Sequence, residues 1–200
     1  MRTANPNSPT KKKILDIAED LMRTKGYVAT SVDEICHEAK VTKGSFFHYF
    51  KGKEALGKSL IEKFSGERLK GLESCCCGVE DPLERIYACL DGMAMAAEDC
   101  AGGKGCLVGT FAQEISETHP ELSDMCEEAF KRSVQFFEKA LEEAKQKYKP
   151  KKEIHPKEMA EFFIAMGQGT LLLAKTMKNK KIVSQNVRQF KAYLKLMFEQ

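Results

Sequence analysis

No run of apolar residues in this chain approaches the length of a membrane-spanning helix. Segments such as Leu171–Ala174 are far too short. The amino-terminal MRTANPNSPTKKK carries basic residues without the apolar core of a signal peptide, so the chain is expected in the cytoplasm. Alternating strand patterns and internal repeats are missing as well. The sequence holds no Cys-x-x-Cys pair, and His37, His48, His119 and His155 are not spaced as ligands on one helix, so no metal site and no cofactor are expected. Eight cysteines at uneven spacing, three of them adjacent at Cys75, Cys76 and Cys77, do not form a secreted disulfide framework and are expected to be reduced. There is no nucleophile elbow, phosphate loop or metal motif. Glu114, Glu117 and His119 are spaced like ordinary exposed helix residues, so an enzyme is not expected.

What is present is an all-α pattern. With 42% hydrophobic and 30% charged residues, the 200-residue chain has the composition of a globular protein large enough for two helical domains. The formal net charge is only +3, but the first seventy residues carry the cationic surplus and the remainder is net acidic. The most informative stretch lies in the cationic part. In TSVDEICHEAKVTKGSFFHYFKGK (30–53), Ser31 followed by Glu34 forms a capping-box pattern, and Thr42 can cap a second short helix. Ala39, Lys40 and Val41 form the link, which makes a helix-turn-helix. Phe46 and Phe50, four residues apart, can face inward on Ile35, Ala39 and Val41. The opposite side presents Lys43, Gly44, Phe47, His48 and Tyr49, a mixture of aromatics and donors suited to phosphates and base edges. Lys53 opens the next helix, where an ammonium and a helix N-terminus can meet one phosphate.

The string KVTKGSFFHYFKGKEAL resembles the signature of the TetR family of repressors, and the likeness covers residues 10 to about 60 well. The resemblance implies double-stranded DNA as a partner, a palindromic operator, a homodimer, and DNA contacts at Thr30, Thr42, Lys43, Gly44, Phe47, His48, Tyr49 and Lys53. Lys40 departs from the pattern, because relatives usually place glycine in this turn.

Along the chain, the reading gives a disordered arm over 1–9, a three-helix DNA-binding domain over 10–52, a connecting helix over 53–72 able to swing as a lever, and an effector-binding and dimerisation domain over 73–200, about nine helices in all. Thr10 can cap the first helix, and Gly26 stops it. Asp81-Pro82 starts a fifth helix, CAGGKG (100–105) forms a glycine-rich loop, Cys106 opens a sixth helix and Pro120 a long seventh. Apolar stripes at Met159, Phe162, Phe163, Met166, Thr170, Leu173 and Met177, and at Val187, Phe190, Leu194, Met197 and Phe198, mark the last two helices. The resemblance implies that these two build the dimer, and Gly167 and Gly169 would allow close approach.

Met93, Met95, Phe111, Phe136, Phe137, Phe163 and Met166 are candidate linings for an apolar effector cavity. Cys106 follows Gly-Gly-Lys-Gly at a helix start, where the helix dipole and Lys104 favour a thiolate. The GCL string and Lys175 within LLAK also resemble an electrophile- or oxidant-responsive branch of the family. The effector is therefore either a reagent that modifies Cys106 or an unreactive small molecule. A helical interaction module without DNA binding is the competing reading, and it leaves the outward Lys43, Phe47, His48, Tyr49 and Lys53 unexplained.

Overall fold

The computed structural model describes residues 8–99 and 104–199. Most of the expected arm and residues 100–103 of the glycine-rich loop lie outside the described residues. Within them, the chain forms nine helices and no strand. Helix α1 (Pro9–Lys25) begins ahead of Thr10. Ser8 is its N-cap, and Pro9 takes the first helical position, where its fixed φ suits the helix and its missing N–H leaves no donor unpaired. Gly26 ends α1 at φ 99°, its N–H donating to the Met22 carbonyl at 3.0 Å. Only glycine is at ease with that φ, and a Cβ there would lie 1.9 Å from the Glu114 carboxylate.

Helices α2 (Val32–Glu38) and α3 (Lys43–Tyr49) are capped as the sequence predicts. The Ser31 hydroxyl accepts from the Glu34 N–H and the Thr42 hydroxyl from the Ser45 N–H, each at 3.1 Å. The Glu34 carboxylate does not complete the reciprocal half of a capping box but pairs instead with Lys25. Lys40 sits in the link at φ 51°, the left-handed conformation that disfavours a side chain. Relief of that strain exceeds the extra freedom a glycine gives the unfolded chain, so Lys40→Gly is expected to stabilise the fold by about 0.5–1 kcal/mol in urea unfolding.

Helix α4 (Lys53–Cys75) runs three residues beyond the expected 72. It is followed by α5 (Pro82–Asp99), α6 (Leu107–Ile115), α7 (Pro120–Tyr148), α8 (Pro156–Thr176) and α9 (Lys181–Phe198). Two compact units result, and they interleave in sequence. The first joins the residues up to Ser65 with Gly105–Ala129, and the second joins Gly66–Lys104 with Phe130–Gln200. The sequence reading divides the chain into contiguous segments, whereas α6 and the start of α7 fold with the helix-turn-helix.

The first unit is built on Ile14, Ala18 and Met22 of α1, Ile35 of α2, Phe46 of α3, and Leu56 and Leu60 of α4, all fully buried. Tyr27 plugs its far side, edge-on to Phe111 at 5.0 Å and to His119 at 5.4 Å between ring centroids. Gly57 lets α4 approach this plug, since a Cβ there would meet Tyr27 at 3.3 Å and Phe111 at 3.4 Å. The low helix propensity of glycine is therefore offset by packing. In the second unit, α5 and α8 both pack on α9. Phe137, Phe163 and Phe190 form an aromatic chain with centroid spacings of 4.5 and 4.9 Å.

Candidate nucleic-acid interface

Helix α3 separates its faces cleanly. Phe46 is fully buried and Phe50 nearly so, and the two rings pack 5.7 Å apart beneath the helix. On the other side Thr42, Lys43, Gly44, Phe47 and His48 are exposed and Tyr49 is half-buried. Phe47 is 54% exposed, although burying a phenylalanine ring is worth roughly 1.5–3 kcal/mol. Its ring rests edge-on against Phe46 at 5.3 Å and leaves the rest of its surface to solvent. A Cβ built on Gly44 meets nothing nearer than the Thr42 hydroxyl at 3.8 Å, so this edge of the helix is open to a backbone or phosphate.

Two of these side chains are held before any ligand arrives. The Lys43 ammonium pairs with Asp33 at 2.8 Å, both groups well exposed, and this hydrogen bond raises the Lys43 pKa. An exposed pair of this kind contributes little, so a phosphate can displace the carboxylate. The Tyr49 hydroxyl meets the Ser8 hydroxyl at 2.8 Å and ties α3 to the start of α1.

Thr30 and Lys53 sit differently from the surface set. Thr30 is fully buried, and its hydroxyl donates to the Gly26 carbonyl at 2.7 Å, locking the α1–α2 loop. The Lys53 ammonium lies over the Tyr27 ring at 4.4 Å and donates to the carbonyls of Tyr27 and Thr30, each at 3.1 Å. Burial lowers its pKa, and Glu114 opposes that shift. In this structure both residues shape the loop in front of the helix-turn-helix and do not point outward beside α3.

Cys106 is the N-cap residue of α6, as the sequence suggests, but its side chain is only 6% exposed. Cys126 on α7 is near enough to feel it: burial, with Cys106 adding, pushes the Cys126 thiol up to about 11. Lys104, in the second unit, and Lys175, on α8, are both half-exposed. The apolar residues suggested as an effector lining are not gathered in one place. Phe111 belongs to the first unit, Phe137 and Phe163 are core, and Met95 is 66% exposed. Phe136 lines one cavity of about 270 Å³ and Met166 a different one of about 490 Å³.

Sequence reasoning missed the groups that tie α6 to the DNA-binding helices. The Arg23 Nε donates to the Gly105 carbonyl at 2.9 Å, and the Gly105 N–H donates back to the Arg23 carbonyl at 3.3 Å. Glu114 accepts from the Val28 N–H at 2.8 Å while lying over Gly26. The carboxylate weighed as a catalytic candidate is thus a loop anchor, and His119 is a wall for Tyr27. These partners are more than eighty residues apart in sequence, and no local signal connects them.

Residues 14–60, which hold this assembly, match the model described as bacterial regulatory proteins, tetR family. Residues 82–190 match the tetracyclin repressor-like, C-terminal domain. The chain belongs to the TetR family. Among characterised relatives, the transcriptional repressor DhaR of Mycobacterium sp. strain GP1 is 26% identical over 178 residues, covering 89% of this chain and 88% of DhaR. The transcriptional repressor NemR of Escherichia coli is 24% identical over 169 residues, covering 83% of this chain and 84% of NemR. A crystal structure of a TetR regulatory protein from Rhodobacter sphaeroides superposes with a TM-score of 0.81 at 26% identity, over 92% of this chain and 98% of that one. The reduced form of E. coli NemR superposes with a TM-score of 0.75 at 22% identity, over 92% and 96% of the two chains, and shows the shared fold. This TetR-family chain is a DNA-binding transcriptional regulator and not an enzyme. No helix among its described residues is long and apolar enough to cross a membrane.

Proposed function

We propose that this regulator is a homodimeric repressor that reads a palindromic operator with α3 and releases it when Cys106 is modified or a small effector binds. The observation that carries the DNA reading is the exposed face of Lys43, Gly44, Phe47 and His48 above a fully packed interior. Thr42 and Tyr49 flank that face. Thr30 and Lys53 act by setting the loop and the start of α4, and Lys53 would reach a phosphate at the rim only by giving up its bonds to the Tyr27 and Thr30 carbonyls.

Dimerisation is supported by the outer side of α8 and α9, where Phe162, Leu172, Leu173, Met177, Tyr193 and Leu196 are 38–62% exposed. A built Cβ at Gly167 or Gly169 meets nothing within 4 Å, so α8 leaves room for a second copy. A single charge in such an apolar face opposes association, and Leu173→Glu is expected to give a monomer in sedimentation velocity that no longer binds operator at nanomolar protein.

Release through Cys106 is supported by the Gly105–Arg23 pair of hydrogen bonds, which fastens the residue before the thiol to α1. An adduct on so buried a sulfur must open the start of α6 and loosen that fastening.

The test is footprinting on DNA flanking the protein's own gene, with and without an alkylating agent. Lys43→Ala and His48→Ala are each expected to lose roughly 1–3 kcal/mol on the operator and to change the ranking of operator variants. Equal losses on random DNA would overturn base reading by α3. Lys53→Ala weakens binding to every sequence; a salt slope flatter by about one unit marks a phosphate contact, and an unchanged slope marks a loop anchor alone. Cys106→Ser should bind operator normally and resist the alkylating agent. Release that persists in this variant assigns regulation to an unreactive effector.

A further inference from the structure

Among the thiols that play no part in the proposed function, four gather where α4 ends against α5. Cys75 and Cys77 are exposed, Cys76 is half-exposed, and Cys89 on α5 is 1% exposed. The α4 carbonyls organise them. Leu72 accepts both the Cys76 N–H and the Cys89 thiol, each at 3.3 Å, and Glu73 accepts the Cys76 thiol at 3.4 Å. The Leu72 carbonyl thus brings the Cys76 backbone and the Cys89 thiol to one point at the end of α4. Both border a cavity of about 270 Å³ with apolar walls at Ile86, Phe136 and Ala140. Arg85 and Lys139 bring positive charge to it, and Arg85 is paired with Glu143.

A buried thiol and a half-exposed one that border the same cavity, both residues bonded to the Leu72 carbonyl, have the parts of an oxidisable dithiol. One sulfur is open to a reagent and the other is placed to resolve the product. We propose that Cys76 and Cys89 form a hydroperoxide-reactive pair in which Cys76 is oxidised first and Cys89 closes a disulfide. The Cys76 thiolate attacks one peroxide oxygen, the O–O bond breaks, and the other oxygen leaves as an alcohol or as water after taking a proton. Cys76 becomes a sulfenic acid, oxidised by two electrons as the peroxide is reduced by two. The Cys89 sulfur then attacks the Cys76 sulfur, the S–O bond breaks, and the leaving hydroxide takes the Cys89 proton and departs as water. Burial, with Cys76 adding, pushes the Cys89 thiol up to about 12, so Cys89 attacks only as its proton leaves with the hydroxide, and this second step is the slower of the two. The product is a neutral bridge that suits the core better than a thiolate. The apolar walls favour an organic hydroperoxide over hydrogen peroxide.

Neither cysteine belongs to the operator face or to the surroundings of Cys106, so the pair can be tested separately. The full-length reduced protein is treated with one equivalent of cumene hydroperoxide or of hydrogen peroxide. It is then alkylated under denaturing conditions and mapped by peptide mass spectrometry. Two of the eight thiols should be lost, with a Cys76–Cys89 linked peptide two hydrogens lighter than its parts, faster with cumene hydroperoxide and reversed by dithiothreitol. The linkage should persist in Cys106→Ser and vanish in Cys76→Ser. In Cys89→Ala the Cys76 sulfenic acid should be captured by dimedone. Should that core variant not fold, Cys76→Ser at its half-exposed position carries the test. A linkage from Cys75 or Cys77 to Cys89, or a Cys89 that remains fully alkylatable after a full equivalent of peroxide, overturns the proposal. Equal rates with the two peroxides overturn the role given to the apolar walls.

Discussion

Phe46→Ala is expected to cost about 3–5 kcal/mol of stability and to abolish operator binding, whereas the same change at Phe47 should leave stability within about 0.5 kcal/mol and still weaken DNA binding. The two residues are neighbours of identical chemistry, and only their orientation on α3 separates them. Phe46 is fully buried, edge-on to Phe47 at 5.3 Å and 5.7 Å from Phe50, in the core where α1, α2 and α3 meet. Removing its ring leaves a cavity that three short segments cannot close, because α2 and α3 are seven residues each and draw their stability from packing. Phe47 is 54% exposed and meets the core only where its ring lies edge-on to Phe46. Urea unfolding followed by circular dichroism, set beside fluorescence anisotropy on operator DNA, separates the two effects. A Phe47→Ala variant that binds operator as the parent does would remove the aromatic from the reading face. A Phe46→Ala variant as stable as the parent would show that α3 does not rest on this core.

The division between these residues was legible in the sequence, because the i,i+4 spacing of Phe46 and Phe50 sets the inward face of a helix that Thr42 opens. Such signals are local. Ser31, Thr42, Asp81-Pro82 and Pro120 each specify a helix start through groups within three residues, and the helices begin where these residues place them. Partners distant in sequence were not legible. Lys53 has the residue type of a DNA contact, yet the carbonyls of Tyr27 and Thr30, more than twenty residues before it, satisfy it internally. The same holds for Glu114, whose partner is a backbone N–H eighty-six residues away. The stripe on α8 marked the helix but left core and outer face undivided. It is apolar over so wide an arc that spacing does not distinguish core from outer face, and Phe162, Leu173 and Met177 proved exposed while Phe163 and Met159 are buried.

Asp81 is the second place where one substitution should have a large effect. Its Oδ1 accepts from the N–H groups of Leu83 at 2.9 Å and Glu84 at 3.0 Å, capping α5. Its Oδ2 accepts from Lys147 at 2.5 Å and from the Tyr148 hydroxyl at 2.6 Å, at the end of α7. Tyr148 in turn lies edge-on to Phe198, so one carboxylate holds a corner of α5, α7 and α9. Burial acts to raise its pKa, but the Lys147, Tyr148 and backbone hydrogen bonds outweigh it and hold the carboxyl well below the usual carboxylate range. A depressed folded pKa contributes stability that is complete above the unfolded value of about 3.9 and is lost as the pH falls through the folded value. The hydrogen bond to Asp81, with burial adding, pushes Tyr148 up to about 12, so its share is complete below the ordinary tyrosine value of about 10 and is lost between there and 12. Asp81→Asn keeps a capping oxygen and removes the charge, whereas Asp81→Ala removes both. Expected losses at pH 7 are therefore about 1–2 kcal/mol for the amide and about 2–3 kcal/mol for alanine, whose extra loss is the cap. The amide variant should also show a shallower fall in stability below pH 4 than the parent. Glu34 and Glu121, the other carboxylates with lowered pKa, are solvent-screened partners of Lys25 and Lys58 and leave most of that slope to Asp81. Parallel stability curves for parent and Asp81→Asn from pH 2 to pH 7 would mean that the carboxylate holds the corner by shape and not by charge.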